Sequence, residues 1–503
     1  MTDKPLRFYQ SEAIEAVRSA CSRERTALVV LPTGAGKTHI FAEIIRLRLA
    51  RYPESRVLVL VGSVDLVQQT AKRLPGKVTM YCAGAGERVQ SHVGTTVASV
   101  QSLSKSEPLD FDIVVLDECH NFADGNGYDK ILEKLPNAKI IGFTATPFRE
   151  SGHIYGDGKL FSKPCYSRSL IDMIAEGHLV EPSLKHTRFQ FDTSKLKIVA
   201  GDFSAKGLSR ITQDIEKVGE QVSDALSRLA GRKSVIWACV DINHCKLVAS
   251  MIPSARVIHS KLSREIRDDV MREFRAGELR HLVFVSVIKE GIDIPRIDAV
   301  VFMRPTRSPN LWVQVAGRAL RPFEGKTDAL ILDYGEVVKN LGPLDNPKVR
   351  QPGQKRSSKI SELEDVGMRF CKNCLEYISS ALEICPRCEA PTGAEKKSNL
   401  TSQAQTSYAL LSTKEEKTFV TDVTARNHMS MNGNLCTLIE YTLEGGGVIK
   451  EYFSKSSEYA VEKLEKRRAA MHWNGTRFEN PPTEIRHKVD GKFTKVTKLL
   501  WQS

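Results

Sequence analysis

Between Leu6 and His186 short apolar runs alternate with stretches of helical periodicity. Ala27–Leu31, Val57–Val61, Thr96–Val97, Ile113–Leu116 and Ile140–Phe143 are rich in Val and Ile and are bounded by Gly, Pro or charge. Runs of this kind fit strands buried on both faces of a parallel sheet. Ser11–Ala20 and Lys37–Leu49 read as helices. The alternation predicts a doubly wound α/β domain over residues 1–186. A second series follows, with Val235–Ala238, Ala255–Ile258, Leu282–Val285, Ala299–Phe302 and Ala329–Leu332 as strands and Arg264–Phe274 as a helix. It predicts a second α/β domain over 187–340, alike in organisation although no sequence repeat links the two.

The pattern then changes. Residues 341–365 hold Pro343, Pro347, Pro352, Lys355 and Arg356 without periodicity and read as a basic linker. Four clustered cysteines occupy 366–392. A polar linker follows over 393–415, and 416–503 mixes strand-like runs (Cys436–Tyr441, Val448–Phe453) with a basic helix (Tyr459–Met471), which predicts a small α+β domain. The 503 residues give a prior of about three domains at ~150 residues each. No apolar run approaches the ~18 residues of a membrane span, and the N-terminus lacks a charged segment followed by an apolar one, so a cytoplasmic protein without a signal peptide is expected.

Composition sharpens this picture in two ways. Lys and Arg number 73 against 60 Asp and Glu, a net charge of +13, which favours a polyanionic partner because bound phosphates release counterions. The 11 cysteines are an odd number, mostly scattered, which argues against a disulfide framework and for a reducing compartment.

The run from Leu28 to Thr38 carries the clearest chemistry. A buried strand enters Pro32, Thr33, Gly34, Ala35, Gly36, Lys37 and Thr38, and a helix begins there. Glycines let the backbone N–H groups converge on one cavity at a helix N-terminus, where a triphosphate fits. Lys37 supplies charge for the outer phosphates and the Thr38 hydroxyl suits Mg²⁺. The strand Ile113–Leu116 ends in Asp117 and Glu118. Asp117 is placed to complete the Mg²⁺ site, and Glu118 to orient or deprotonate water. The spacing suggests that this strand and the phosphate-loop strand are neighbours in the sheet. His120 reads equally as a plain loop histidine.

In order along the chain these runs resemble the motifs of superfamily 2 helicases and translocases. Leu6 to Gln10 is similar to the adenine-reading motif, with Gln10 on the base; Pro32–Thr38 to motif I; Gly62–Gln68 to motif Ia; and Thr95–Ser102 to the next strand-contact motif. Asp117–His120 resembles motif II, Thr144 to Pro147 motif III, Phe284 to Pro295 motif V, and Gln314 to Arg321 motif VI. The resemblance implies two tandem RecA-like parallel-sheet domains that hydrolyse ATP. It places Gly291 and Asp293 at the nucleotide and strand contacts around Gly62–Gln68, Ser99–Ser102 and Val285–Ile288. Thr144 and Thr146 would couple hydrolysis to movement. Arg318 and Arg321 form a fork of the kind that stabilises charge spreading over a transferred phosphoryl group.

Within the superfamily the chain is similar to the RadD group of bacterial DNA-repair proteins, through Thr144–Arg149, Ile174–Pro182, Gly325–Tyr334 and the trailing cysteines. It departs in carrying a single four-cysteine set and in being shorter at its end, as a phage or plasmid relative would be. The resemblance implies single-strand-binding protein and RecA as partners and a bacterial or phage-infected cell as the setting.

Cys371 and Cys374, then ten residues, then Cys385 and Cys388 make two C-x₂-C knuckles able to close a tetrahedron around zinc. Redox or iron use is the alternative. Lys372 and Arg387 at the knuckle tips are placed to touch phosphates. Lys463–Trp473 is a basic helix that grips DNA or an acidic tail, or is simply a solvated face; Trp473 and Trp501 read as core or cap. The reading is an ATP- and Mg²⁺-dependent, zinc-bearing motor on single-stranded or branched DNA, in repair or recombination. The competing readings are an RNA helicase and an ATP-switched recruitment factor that unwinds little.

Overall fold

The computed structural model describes residues 5–107, 110–123, 125–149, 152–187, 189–199, 201–285, 294–347, 368–379, 382–392, 415–429, 435–444, 448–454, 464–465, 467–472, 478–490 and 493–500. It divides into two units, 1–395 and 396–503.

The first unit holds two parallel sheets. One contains β1 (Thr26–Val30), β2 (Arg56–Val61), β3 (Val78–Cys82), β4 (Glu87–Arg88), β5 (Gly94–Ser99), β6 (Ile113–Leu116), β7 (Lys139–Thr144) and β8 (Pro164–Ser167) in the order β8-β1-β7-β6-β2-β5-β3-β4. Only β3–β4 is antiparallel. From Val57 to Val61 every residue of β2 is buried, as its unbroken apolar run requires for a strand covered on both faces. The phosphate-loop strand β1 is not next to β6: β7 lies between them, pairing with both. That corrects the neighbour relation expected from spacing, and it puts Thr144, at the end of β7, between the two catalytic loops.

The second sheet contains β9 (Glu181–His186), β10 (Val235–Ala238), β11 (Arg256–Ile258), β12 (His281–Phe284), β13 (Ala299–Phe302) and β14 (Asp328–Asp333) in the order β9-β14-β13-β10-β12-β11. Strand β9 pairs with β14 along its whole length. The chain therefore crosses between lobes before Glu181, ahead of the boundary at 186/187 expected from the sequence. The two lobes are tandem RecA-like domains.

Helices α1 (Phe8–Arg23), α2 (Lys37–Arg51), α3 (Val64–Ala71), α4 (Arg264–Ala276) and α5 (Pro309–Arg318) carry or flank the motifs. Local chemistry fixes their starts. Ser63 caps α3, Ser263 caps α4 and Ser308 caps α5, each accepting a backbone N–H with its hydroxyl, and Pro309 occupies the first turn of α5, where no N–H is needed. Gly277 stops α4 in the left-handed region at φ 89°.

The four cysteines lie against the free edge of β9. Strands β15 (Met368–Phe370) and β16 (Tyr377–Ser379) form a small antiparallel pair. Glu376 is buried, and its carboxylate accepts from Ser183 Oγ at 3.1 Å, Leu184 N at 3.0 Å and Lys185 Nζ at 2.7 Å. The His186 ring stacks on Phe370 at 3.9 Å. The module is thus anchored to the second lobe by a satisfied buried network, which covers a sheet edge that would otherwise invite pairing.

The second unit is a five-stranded antiparallel sheet with a helical segment at 464–465 and 467–470. No helix among the described residues is long and apolar enough to cross a membrane. The linker residues 348–367 and 393–414, and Lys463, Trp473 and Trp501, lie outside the described residues.

Candidate active site

The phosphate loop turns at Gly34 and Gly36, whose φ values of 92° and 76° belong to the left-handed region that favours glycine. Its crown is held from behind. The Ala35 carbonyl accepts from Tyr9 Oη at 2.8 Å and Gln10 Nε2 at 3.3 Å, and Gln10 Oε1 accepts from Arg7 N at 2.9 Å. Gln10 therefore braces the loop as well as lying at its rim, and Tyr9, whose ring meets His178 at 4.8 Å, is a brace that the motif reading did not single out.

Lys37 is buried at the first turn of α2. Its ammonium reaches the Leu31 carbonyl at 3.4 Å and Glu118 Oε1 at 4.0 Å. Thr33 Oγ1 is buried with no hydrogen-bond partner. A cation with only long contacts and an unmatched hydroxyl in one cradle suit the oxygens of a phosphate chain. Thr38 follows at the start of α2, half-buried, and Asp117 stands at the end of β6, taking Glu118 N on Oδ1 at 3.0 Å.

Glu118 is held at φ 48°, a backbone state that costs a non-glycine residue about 1–3 kcal/mol and that turns its carboxylate into the cleft. Burial pushes its pKa up. Lys37 first, then His120 at 3.3 Å and the Arg318 guanidinium, outweigh burial and hold it down at about 2. Glu118 is therefore a carboxylate at neutral pH, fixed by cations from both lobes.

His120 is the junction that sequence alone left open. Its Nδ1 lies 3.0 Å from Thr144 Oγ1, its Nε2 3.5 Å from Gln314 Nε2, and its carbonyl accepts from Arg149 Nε at 2.7 Å. Thr144 Oγ1 in turn accepts from Thr146 N at 3.0 Å. The motif II loop, the end of β7 and helix α5 of the other lobe thus meet on one imidazole. Gln314 stands in the motif VI run, but only the fold shows its partner.

Helix α5 closes the site from the second lobe. Arg318 is buried and acts on Glu118. A Cβ at Gly34 would lie 2.9 Å from Arg321 Cγ, so the Arg321 side chain crosses directly over the phosphate loop. At Gly317 a Cβ would lie 2.7 Å from Thr33 Cβ, so bare backbone is what lets α5 approach the loop. A second interlobe contact lies between α3 and α4, where Arg267 pairs with Asp65 at 3.1 Å and Arg264 donates to Gln68. The structure brings together Gln10, Thr33, Gly34, Ala35, Gly36, Lys37, Thr38, Asp117, Glu118, Arg318 and Arg321. Gly291 and Asp293 lie outside the described residues.

The sulfurs of Cys371, Cys374, Cys385 and Cys388 lie within 4.8 Å of one another, with Cys371–Cys388 at 3.7 Å and Cys374–Cys385 at 3.6 Å. Zn–S bonds of ~2.3 Å in a tetrahedron give sulfur separations of ~3.8 Å, so the cluster is compatible with zinc. Arg387, expected to face phosphates, instead pairs with Asp328 at 3.3 Å.

Comparison with known proteins agrees with this architecture. A family model described as the type III restriction enzyme res subunit matches residues 3–149, and the helicase conserved C-terminal domain matches 219–322. A protein of Schizosaccharomyces pombe, provisionally named mitochondrial ATP-dependent helicase irc3, is 32% identical over 361 residues, covering 67% of this chain and 58% of that protein. The DNA 3'-5' translocase XPB2 of Sulfurisphaera tokodaii is 24% identical over 371 residues, covering 65% of this chain and 81% of that protein. A fragment of a provisionally assigned HsdR subunit of a type I restriction enzyme from Vibrio vulnificus shares the fold, with a TM-score of 0.53, 24% identity and coverage of 69% of this chain and 68% of that one. The chain spans little more than half the length of the fission-yeast relative.

Proposed function

We propose, starting from a chain that belongs to the superfamily 2 helicases, that ATP hydrolysis in the interlobe cleft drives movement along DNA. Helicase domains use ATP and Mg²⁺. In this reading the loop from Thr33 to Thr38 holds the phosphates, Thr38 and Asp117 would hold Mg²⁺, and the metal would polarise the outer phosphate oxygens. Glu118 orients the attacking water. ATP draws the Lys37 ammonium towards its own phosphates, which weakens the hold on the Glu118 carboxylate and makes it a better acceptor. Arg318 and Arg321 stabilise charge on the transferred group. The observation that carries the reading is the reach of these two arginines from the second lobe to Glu118 and Gly34.

Because His120 touches Thr144 and Gln314, loss of the outer phosphate releases α5 and the β7 loop together, which offers a route from hydrolysis to lobe opening. The RadD resemblance and the basic charge favour DNA repair or recombination in a bacterial cytoplasm, with single-strand-binding protein and RecA as partners. The sulfur tetrahedron favours structural zinc, because all four positions are filled by protein and none is left open for substrate.

Steady-state ATPase rates with single-stranded DNA, duplex, fork and RNA test the reading, beside Lys37→Ala and Glu118→Gln. DNA should stimulate turnover more than RNA. Both variants should lose turnover, and Glu118→Gln should still bind ATP. Stimulation by RNA alone would replace the DNA assignment, and turnover without strand displacement on any substrate would favour the recruitment factor or a translocase on duplex.

A further inference from the structure

Arg321 crosses the phosphate loop from a position three residues past the end of α5, where the helix no longer fixes its backbone. Leu320 O accepts from Val180 N at 2.8 Å, and a turn follows in which Phe323 O accepts from Lys326 N at 3.0 Å. The Lys326 side chain folds back through this turn. Its Nζ donates to Arg321 O at 2.7 Å, Ile297 O at 2.5 Å and Pro295 O at 3.3 Å. Pro295 ends the motif V run, and Ile297 is buried just ahead of β13. One ammonium thus ties the end of motif V to the backbone of a motif VI arginine.

The seat suits a charged lysine. An ammonium has three N–H donors and no acceptor, and the three carbonyls use all of them. Among the described residues no carboxylate pairs with it. Asp328 is taken by Arg232 at 2.7 Å and Arg387 at 3.3 Å, and Asp298 accepts the backbone N–H groups of Lys233 at 2.7 Å and Ser234 at 3.0 Å. A half-buried ammonium without a counter-ion gives up hydration that a surface lysine keeps by turning its head to water. A cation is favoured at a helix C-terminus, but that role needs only the carbonyls that follow α5. The carbonyls of Pro295 and Ile297 belong to another segment, and holding both segments at once is what fastens Arg321. Burial, then Arg321 and Arg232, lowers the pKa of Lys326 to about 8, against Asp298 and Asp328, which raise it. Above that pH the neutral amine keeps two donors and turns a lone pair towards the third carbonyl, so the seat loosens.

We propose that Lys326 is a positioning residue for ATP hydrolysis, which anchors the Arg321 backbone to the end of motif V and so keeps the guanidinium over the phosphate loop. The proposal rests on the reading that Arg321 stabilises charge on the transferred phosphoryl group. Lys326 acts through Arg321, so its effect falls on the transition state and leaves ATP binding alone.

The test uses the full chain and Lys326→Met, which keeps an unbranched stem and removes the charge. Two readouts are taken: steady-state ATPase between about pH 7 and 9, and equilibrium binding of ADP alone and of ADP with aluminium fluoride, a stand-in for the transferred group. Lys326→Met should lower kcat on the order of 100-fold, as a misplaced catalytic group does, with the KM for ATP nearly unchanged. It should lose affinity for ADP with aluminium fluoride by a similar factor and keep its affinity for ADP. In an Arg321→Ala background the same substitution should cost less than about twofold more on the analogue, because one interaction cannot be lost twice. Wild-type kcat should fall as pH rises through about 8, and Lys326→Met should lack that limb. Full binding of the analogue by Lys326→Met overturns the proposal, and so do losses that add in the double variant. A wild-type profile that stays flat through that pH also overturns it, and needs no variant to fold. A wild-type chain without turnover would instead sink the motor reading, and binding of the analogue would still decide this one.

Discussion

Gly317→Ala tests the closure of the two lobes at its tightest point. The new methyl would lie 2.7 Å from Thr33 Cβ and 3.2 Å from Thr33 Cγ2, where carbon atoms in contact prefer ~3.5–4.0 Å. Thr33 belongs to a loop that Tyr9 and Gln10 brace from behind, so α5 is the partner that retreats, by roughly 1 Å, the difference between those distances. Arg318 and Arg321 retreat with it. A displacement of ~1 Å in a catalytic group costs on the order of 100-fold in rate, or about 3 kcal/mol of barrier. The sign of the stability change is opposite. Ala is better than Gly within a helix by about 1 kcal/mol, so the melting temperature should hold or rise. ATP binding should change little, because the phosphate cradle belongs to the first lobe. The assay is steady-state ATPase with saturating DNA, beside equilibrium binding of a fluorescent ATP analogue and a thermal melt. Wild-type kcat in Gly317→Ala would refute the argument that backbone approach at this position sets the arginines. A lowered melting temperature would show that α5 does not yield at this position as described.

Other outcomes follow from the second lobe. Glu376→Ala leaves Lys185, Leu184 N and Ser183 Oγ without their shared acceptor, and removing one partner of a largely buried pair costs about 3 kcal/mol. Urea denaturation should show that loss, and an unchanged midpoint would mean that the cysteine module is not anchored there. Burial lowers the pKa of His244 and of His281 to about 4 from an ordinary 6.5. The unfolded chain therefore takes up these protons first as pH falls. Their contribution is complete above pH 6.5 and is lost progressively towards pH 4, on the order of 3 kcal/mol each at most. Urea midpoints followed by intrinsic fluorescence should fall across that window. Midpoints that stay flat from pH 6.5 to 4 would contradict the assignment.

The phosphate loop was legible because its chemistry is local: glycines, a lysine and a hydroxyl in one turn between a strand and a helix. The four cysteines were legible for the same reason. What the sequence hid was set by strand order. Nothing in Ile113–Leu116 or Lys139–Thr144 tells which strand borders β1, since both are apolar runs of similar length, and the insertion of β7 is what brings Thr144 to His120. Glu181–His186 has only a short apolar content, and its place in the second sheet depends on pairing with Asp328–Asp333, nearly 150 residues away. Gln314 shows no helical-face signal that separates it from an ordinary buried amide, and its partner belongs to the other lobe. The strand order of the sheet in the second unit was hidden because its strands alternate polar and apolar residues, a pattern shared by any half-exposed sheet.

Single-turnover hydrolysis of prebound ATP by Arg318→Ala asks whether the second lobe completes the catalytic site. A trans-lobe arginine of this kind is worth about 10³-fold or more in rate. A loss of that size is expected, with ATP affinity nearly unchanged. Hydrolysis at the wild-type rate in that variant would show that the second lobe does not complete the site.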